Sequence, residues 1–210
     1  MGDTRPFSIT PVHVADLLVG ENEWLPVNVH VIEHQGGRIL VDTGMTELDP
    51  RVADMDPQLR PLDKQDFDIG SIDMVVNTHL HFDHCGGNVL FPGRPIYVQR
   101  RELEDARTQD DYTIRKWVDA PGVTYVPVDG ELELLAGVRL VPAPSHTPGS
   151  QIVVVAGSEP NGRPTVIAGD NALSLDDLDH PKTDSQRLIR SLEPEVVWLA
   201  HAHEAWRPTT

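Results

Sequence analysis

Residues 78–88 read Thr-His-Leu-His-Phe-Asp-His-Cys-Gly-Gly-Asn, and no other segment constrains the fold as tightly. Four groups able to ligate a metal, His79, His81, Asp83 and His84, fall within six positions. Imidazoles and carboxylates are poor core material, because each is costly to bury without a partner. They are good ligands for an ion of borderline to hard character. Met74-Val75-Val76-Asn77 is a short β-prone run, so the motif begins where a strand ends. His79 and His81 are two apart and in extended backbone point the same way, able to grip one ion. Asp83 and His84 lie past Phe82, where Gly86-Gly87 lets the chain turn sharply, and reach toward a second ion. The pattern suggests two metals side by side. The plainer alternative is a surface loop rich in histidine.

Further candidates argue against that alternative. Val138 to Pro142 leads to Ser145-His146-Thr147-Pro148-Gly149, Thr165 to Ala168 leads to Gly169-Asp170, and Val196 to Ala200 leads to His201, with His203 close behind. Each candidate follows a predicted strand, and strand ends on one rim of a sheet are where sites are commonly built.

The ordered set HxHxDH, then His, then Asp, then His resembles the metallo-β-lactamase superfamily. The likeness runs from near residue 27 to His201. Ile39-Leu40-Val41-Asp42-Thr43-Gly44 resembles an earlier motif of that superfamily, in which the Asp is a buried support. The resemblance implies an α+β fold, an αββα sandwich with a dinuclear site on its upper edge. It implies that His79, His81 and His146 hold one metal, that Asp83, His84 and His201 hold the other, and that Asp170 bridges them. His203 competes with His201 for the last place. Trp198-Leu199-Ala200-His201 fits the pattern of hydrophobic strand, small residue and His without a gap, so His201 is preferred. The expected cofactors are two divalent metal ions. Zinc suits the N/O donors best, with Fe, Mn or Co compatible.

Composition narrows the function. At 210 residues the chain suits one domain spanning 1–210 and is short for two. The net charge of −16 argues against nucleic acid, which needs a basic track. Asp42 to Asp73 is the most acidic long segment, with nine acidic and three basic residues. It reads as a solvated loop, or alternatively as a lid over the site. The single cysteine excludes an intrachain disulfide; Cys85 reads as a small buried side chain beneath the loop, with a thiolate ligand as the alternative. Met1 to Pro6 shows neither a secretory pattern nor a myristoylation pattern, and no apolar run reaches membrane-spanning length. The expected location is the cytoplasm and the expected partner a small-molecule substrate, with no nucleic acid and no membrane. The acidic chain shows no interface stripe from which to read an oligomeric state.

Strands are expected over 26–33, 38–41, 95–99, 123–126, 131–134, 138–141, 151–156 and 165–168. Helices are expected over 100–108, 111–120 and 182–192, the last with Leu188, Ile189 and Leu192 along one face.

Two divalent ions can lower the pKa of a bridging water enough to give hydroxide near neutral pH, while one polarises a carbonyl or phosphoryl oxygen. Asp83 is the expected catalytic side chain, orienting the nucleophile or taking its proton. Within the superfamily the chain most resembles the N-acyl-homoserine lactonase-like branch. The supporting residues are Trp24-Leu25-Pro26-Val27, the HxHxDH motif with Gly86-Gly87-Asn88, and Ile96 to Glu104. A lactone or carboxylic ester is therefore the expected substrate. Two departures stand out. Leu173 occupies the position, three after the bridging Asp, where lactonases of the branch carry a Tyr. Ser150 stands where a second His is common. Phe82, Met45, Trp24 and Trp206 are candidates for an apolar pocket wall. Alternatives are a glyoxalase II-like thioesterase, ranked lower because the chain lacks a basic C-terminal helical region, a phosphodiesterase, and a non-catalytic metal-binding module.

Overall fold

The computed structural model describes residues 7–157 and 162–208. The N-terminal residues read above for targeting signals lie outside the described residues. Two sheets form the centre. The first has seven strands in the order β4-β1-β2-β3-β5-β6-β7: β1 (Phe7–Leu18), β2 (Trp24–His34), β3 (Gly37–Val41), β4 (Gln58–Leu59), β5 (Met74–Val76), β6 (Pro95–Gln99) and β7 (Thr124–Val128). The second has five strands in the order β12-β11-β10-β9-β8: β8 (Leu132–Leu135), β9 (Val138–Pro142), β10 (Gln151–Val155), β11 (Thr165–Ile167) and β12 (Val196–Trp198).

Side-chain alternation shows how the layers stack. Ile39 and Val41 of β3 and Val76 of β5 meet Val153 and Val155 of β10 and Ile167 of β11 in one buried cluster between the sheets. Their sequence neighbours point outward. Leu40 and Val75 pack with Val52, Leu62, Phe91 and Trp117 on the outer face of the first sheet. Ile152, Val154 and Val166 pack with Leu178, Ile189 and Trp206 on the outer face of the second. Strands buried on both faces read as continuous apolar runs, which is why Ile152-Val153-Val154-Val155 shows no alternation. The result is the α+β sandwich expected, with helical segments on both outer faces.

The helices are short. They are α1 (Phe82–Cys85), α2 (Arg100–Thr108), α3 (Arg115–Val118), α4 (Asp176–Asp179) and α5 (Asp184–Ser191). A capping box starts α5: the Thr183 hydroxyl accepts the Gln186 N–H, and the Gln186 side chain accepts the Thr183 N–H. The helix expected over 111–120 forms only as α3, because Ile114 adopts a non-helical backbone to enter the core. The longest strand, β1, was not expected. Pro11 and the polar residues at its start hide its β character, and its edge is fixed by pairing along the whole of β2.

The acidic 42–73 segment is neither a plain solvated loop nor detached. Three 3-10 turns carry Val52, Leu62 and neighbouring Ile72 into the outer core of the first sheet. Among the described residues no helix is long and apolar enough to cross a membrane.

Candidate metal centre

Parallel pairing delivers the site residues. β3 and β5 lie with Val41 opposite Val76, so their carboxyl ends bring Asp42 beside Thr78. β11 and β12 lie with Ile167 opposite Trp198, so Asp170 and His201 leave the second sheet side by side. His146 comes from the loop between β9 and β10. The HxHxDH segment follows β5, and Asp83 and His84 lie on α1.

Asp42 is the foundation. Its Oδ1 accepts the Thr78 N–H at 2.7 Å, and its Oδ2 accepts the Thr78 hydroxyl at 2.7 Å. The same Oδ2 is 2.9 Å from His84 Nδ1. A carboxylate oxygen accepts, so Nδ1 of His84 donates to it and Nε2 is the nitrogen left to face the centre. His201 reaches the same state from another direction, donating Nδ1–H to the Pro26 carbonyl at 2.8 Å. Thr78, whose proton goes to Asp42, faces His79 Nδ1 at 3.2 Å and accepts from it. Three histidines are thus held with Nε2 turned inward.

Those Nε2 atoms converge on Asp170. Its Oδ1 lies 3.1 Å from His84 and 3.2 Å from His201, and its Oδ2 lies 3.5 Å from His146 and 3.8 Å from His79. Asp83 Oδ2 lies 3.5 Å from His84 Nε2 and 3.6 Å from His201 Nε2. His81 joins through Nδ1, 2.9 Å from His146 Nε2. Donor atoms fall into three sets within 4.8 Å of one another: His79, His81 and His146; His79, His84 and Asp170; and Asp83, His84 and His201. Tetrahedral donors each about 2.0–2.2 Å from a zinc ion stand roughly 3.3–3.6 Å apart. The separations of 3.1–3.8 Å around Asp170 and Asp83 lie close to that span.

The buried polar atoms agree. His79 Nε2, His84 Nε2 and Asp170 Oδ1 have no hydrogen-bond partner among the described residues, although His84 and Asp170 stand close. Orphaned atoms of this kind are rare in folded proteins and call for an ion or water. Burial, then the charge of His84, pushes His79 well below the ordinary imidazole range. Burial, then His146, pushes His81 down to about 4. For His84 burial works against protonation, but Asp170, Asp83 and Asp42 outweigh it and hold the group well above that range. Asp170 does the same for His201, against burial, and raises it to about 9. In the bare protein Asp170 itself is held well below the carboxylate range, as His84 and His201 overcome its burial. A cation at the centre would replace these protons.

The seven expected residues meet at one rim. His203 does not join them: it is exposed, its ring edge-on to His13. Cys85 is fully buried, its thiol against the Leu80 carbonyl at 3.4 Å, and burial pushes it up to about 12. Gly86 and Gly87 do not serve a left-handed turn, since their φ values are −62° and −90°. They serve close approach: a Cβ on Gly87 would lie 2.2 Å from the Thr43 carbonyl oxygen, and one on Gly86 would lie 2.9 Å from the Trp117 ring. Gly169 does need φ of +54°, and a Cβ there would strike the Thr78 hydroxyl at 2.6 Å.

A cleft of about 510 Å³ opens beside His81, lined by Phe82, Tyr112, Ile114, Val52 and Met55, with Arg51 also in the wall. The acidic segment thus forms one wall of the cleft through its residues 51–55. Of the apolar candidates only Phe82 lines it. Met45 is buried in the outer core of the first sheet, Trp206 in that of the second, and Trp24 is exposed at the start of β2. Leu173 is exposed, its N–H bound to Asp177.

A model of the metallo-β-lactamase superfamily matches residues 22–201, most of the chain. The chain belongs to the metallo-β-lactamase superfamily. Among curated proteins, an N-acyl homoserine lactonase from a Bacillus species is 33% identical over 156 residues, 66% of this chain and 62% of the relative. This match thus spans less than two thirds of that relative. The N-acyl homoserine lactonase AttM from Rhizobium radiobacter is 31% identical over 186 residues, 75% of this chain and 69% of the relative. An N-acyl homoserine lactone hydrolase solved with the product N-hexanoyl-L-homoserine at its catalytic metal centre superposes with a TM-score of 0.75 at 24% identity. That superposition covers 94% of this chain and 93% of the solved chain, and it shows a shared fold.

Sequence reasoning missed one buried network of this superfamily member. Glu102, on α2, accepts hydrogen bonds from the Leu80 N–H, the Tyr112 hydroxyl and the Thr147 hydroxyl. In the sequence the stretch holding it, Ile96 to Glu104, is marked only by its resemblance to the lactonase-like branch. Nothing local marks a helix-borne Glu as buried. Asn28 was missed as well: its N–H and side-chain amide bond the Ala200 carbonyl and the amide also bonds that of Ala202, tying the His201 loop to β2.

Proposed function

We propose that this protein is a dinuclear metal-dependent hydrolase of lactones or carboxylic esters, with N-acyl homoserine lactones the first substrate class to test. The observation that carries the reading is the convergence of His79, His84 and His201 Nε2 on the two oxygens of Asp170, with His79 Nε2, His84 Nε2 and Asp170 Oδ1 without hydrogen-bond partners among the described residues. In this reading His79, His81 and His146 hold one ion, Asp83, His84 and His201 hold the other, and Asp170 stands between them. Zinc is the ion such nitrogen and oxygen donors favour. Bound divalent ions would supply positive charge that polarises a carbonyl and makes water acidic enough to attack near neutral pH.

The chain's own residues supply the rest. Asp83 presents a carboxylate at the centre, suited to orient water or take its proton. Thr78, Asp42 and the Pro26 carbonyl hold Nδ1 of His79, His84 and His201 and so keep their Nε2 atoms turned inward. Phe82, Ile114 and Met55 give the cleft beside His81 an apolar lining for a hydrocarbon portion. The net charge of −16 supports a small-molecule substrate over nucleic acid. The kinship with lactonases supports the substrate class, and Leu173 is the departure that the assay must address.

The test joins metal content to turnover on a panel: an acyl-homoserine lactone, an aryl ester, a thioester, a bis-aryl phosphodiester and a β-lactam. About two metal ions per chain, with lactone or ester hydrolysis lost on chelation and restored on reloading, is the expected result. Turnover confined to the phosphodiester, or undiminished in metal-depleted protein, would overturn it.

A further inference from the structure

The two histidine-bearing segments of the first donor set come from different sheets. His79 and His81 follow β5 of the first sheet, whereas His146 lies in the loop between β9 and β10 of the second. Glu102 lies between them, fully buried in the first turn of α2. Its Oε1 accepts the Leu80 N–H at 2.8 Å, the amide midway between the two histidines. Its Oε2 accepts the hydroxyl of Thr147, the residue after His146, at 2.7 Å. The Tyr112 hydroxyl also donates to Oε1 at 2.7 Å, and the Tyr112 ring lies 5.4 Å from that of His81.

The His146 loop is seated directly on this turn. A Cβ on Gly149 would lie 2.3 Å from the Glu102 amide nitrogen and 2.4 Å from its Cα. Inside the loop, the Ser150 hydroxyl accepts the Thr147 N–H and donates to the Thr147 carbonyl, both at 3.0 Å. It also stands 2.6 Å from the Thr147 hydroxyl, whose proton is committed to Glu102. Ser150 thus closes the 147–150 turn that lies against Glu102. A buried carboxylate facing three donors on three segments fixes all of them, because leaving any one unpaired in a dry interior is costly.

We propose that Glu102 is a positioning residue that holds the 79–81 and 146–150 segments in one register, so that His79, His81 and His146 face a common ion. The inference rests on the reading of those three histidines as ligands. Neutral Gln retains one oxygen, enough for Leu80 and Tyr112, but turns an amide toward Thr147. That contact survives only if the Thr147 hydroxyl redirects its proton to Ser150.

The experiment loads wild type, Glu102→Gln and Glu102→Ala with Co(II). It compares the visible absorption spectrum of the bound cobalt, the cobalt dissociation constant from chelator competition, and the melting temperature of each metal-free protein. Glu102→Ala is expected to weaken cobalt binding by about 10- to 100-fold and to change the spectrum, with Glu102→Gln intermediate. Variants that melt lower when metal-free, yet bind cobalt with wild-type affinity and spectrum, would show a merely structural role and overturn the proposal. If Glu102→Ala does not fold, Glu102→Gln and Thr147→Val decide by the same two cobalt readouts. A wild-type chain that takes up no cobalt would overturn the metal reading and this inference with it. Normal wild-type uptake with unaltered variants would overturn the Glu102 assignment alone.

Discussion

Asp42 Oδ2 and His84 Nδ1 stand 2.9 Å apart with neither side chain appreciably exposed. The contact joins the end of β3 to α1 and turns the free nitrogen of His84 toward Asp170. Asp42→Asn keeps the size but removes the charge that raises ligand basicity. Metal affinity, measured by chelator competition, should fall roughly 10- to 100-fold. Wild-type affinity in this variant would mean that the tautomer of His84 is set by something else.

His201 and His203 separate cleanly in the structure, and so should their variants. His201→Ala should lose about half the bound metal, because it removes one ligand from a set of three held by Asp83 and His84. His203→Ala should keep full metal content, since that ring is exposed and edge-on to His13. Elemental analysis of the two purified proteins checks the pair; the reverse order would move the ligand to His203.

Gly87→Ala should destabilise the fold. The added methyl meets the Thr43 carbonyl oxygen at 2.2 Å, and that oxygen belongs to backbone that cannot rotate away. The Gly87 N–H also bonds the Gly44 carbonyl at 2.8 Å, so relief by movement breaks a second contact. Urea unfolding should show a loss of about 1–3 kcal/mol or more. A stability equal to wild type would show that the turn is looser than its contacts indicate.

Trp206 should matter for stability and not for metal. Its ring is buried beneath the Arg190 guanidinium, 4.9 Å from the ring centre, and its indole N–H donates to Asp179 at 2.8 Å. Trp206→Ala should cost about 3–5 kcal/mol in denaturant unfolding while leaving metal stoichiometry intact. Loss of metal from a folded variant would return Trp206 to the neighbourhood of the site.

The donor set was legible because its chemistry is local and its order along the chain is distinctive. His79, His81, Asp83 and His84 lie within six residues, and His146, Asp170 and His201 each follow a short apolar strand. Strand ends announce themselves in sequence, so the residues that gather at one rim could be named before the rim was seen. Other features carried no such mark. The faces of β10 are hidden because both are buried and every residue of its run from Ile152 to Val155 is apolar. The α3 region looks helical by composition, yet Ile114 is drawn into the core and cuts it to one turn.

By itself, then, the sequence determined the types of the candidate donor residues, their order and the sandwich they rise from, because those depend on residue identity and local backbone period. Only the tertiary structure decided which of His201 and His203 turns inward, why Gly86-Gly87 and Gly149 must be bare, and that Glu102 lies buried between segments that follow strands of different sheets. Each of these depends on what a residue meets from a distant part of the chain: the Pro26 carbonyl for His201, the Thr43 carbonyl for Gly87, and the Leu80 amide and Thr147 hydroxyl for Glu102. Contacts between segments brought together by folding leave no periodicity in the chain to read.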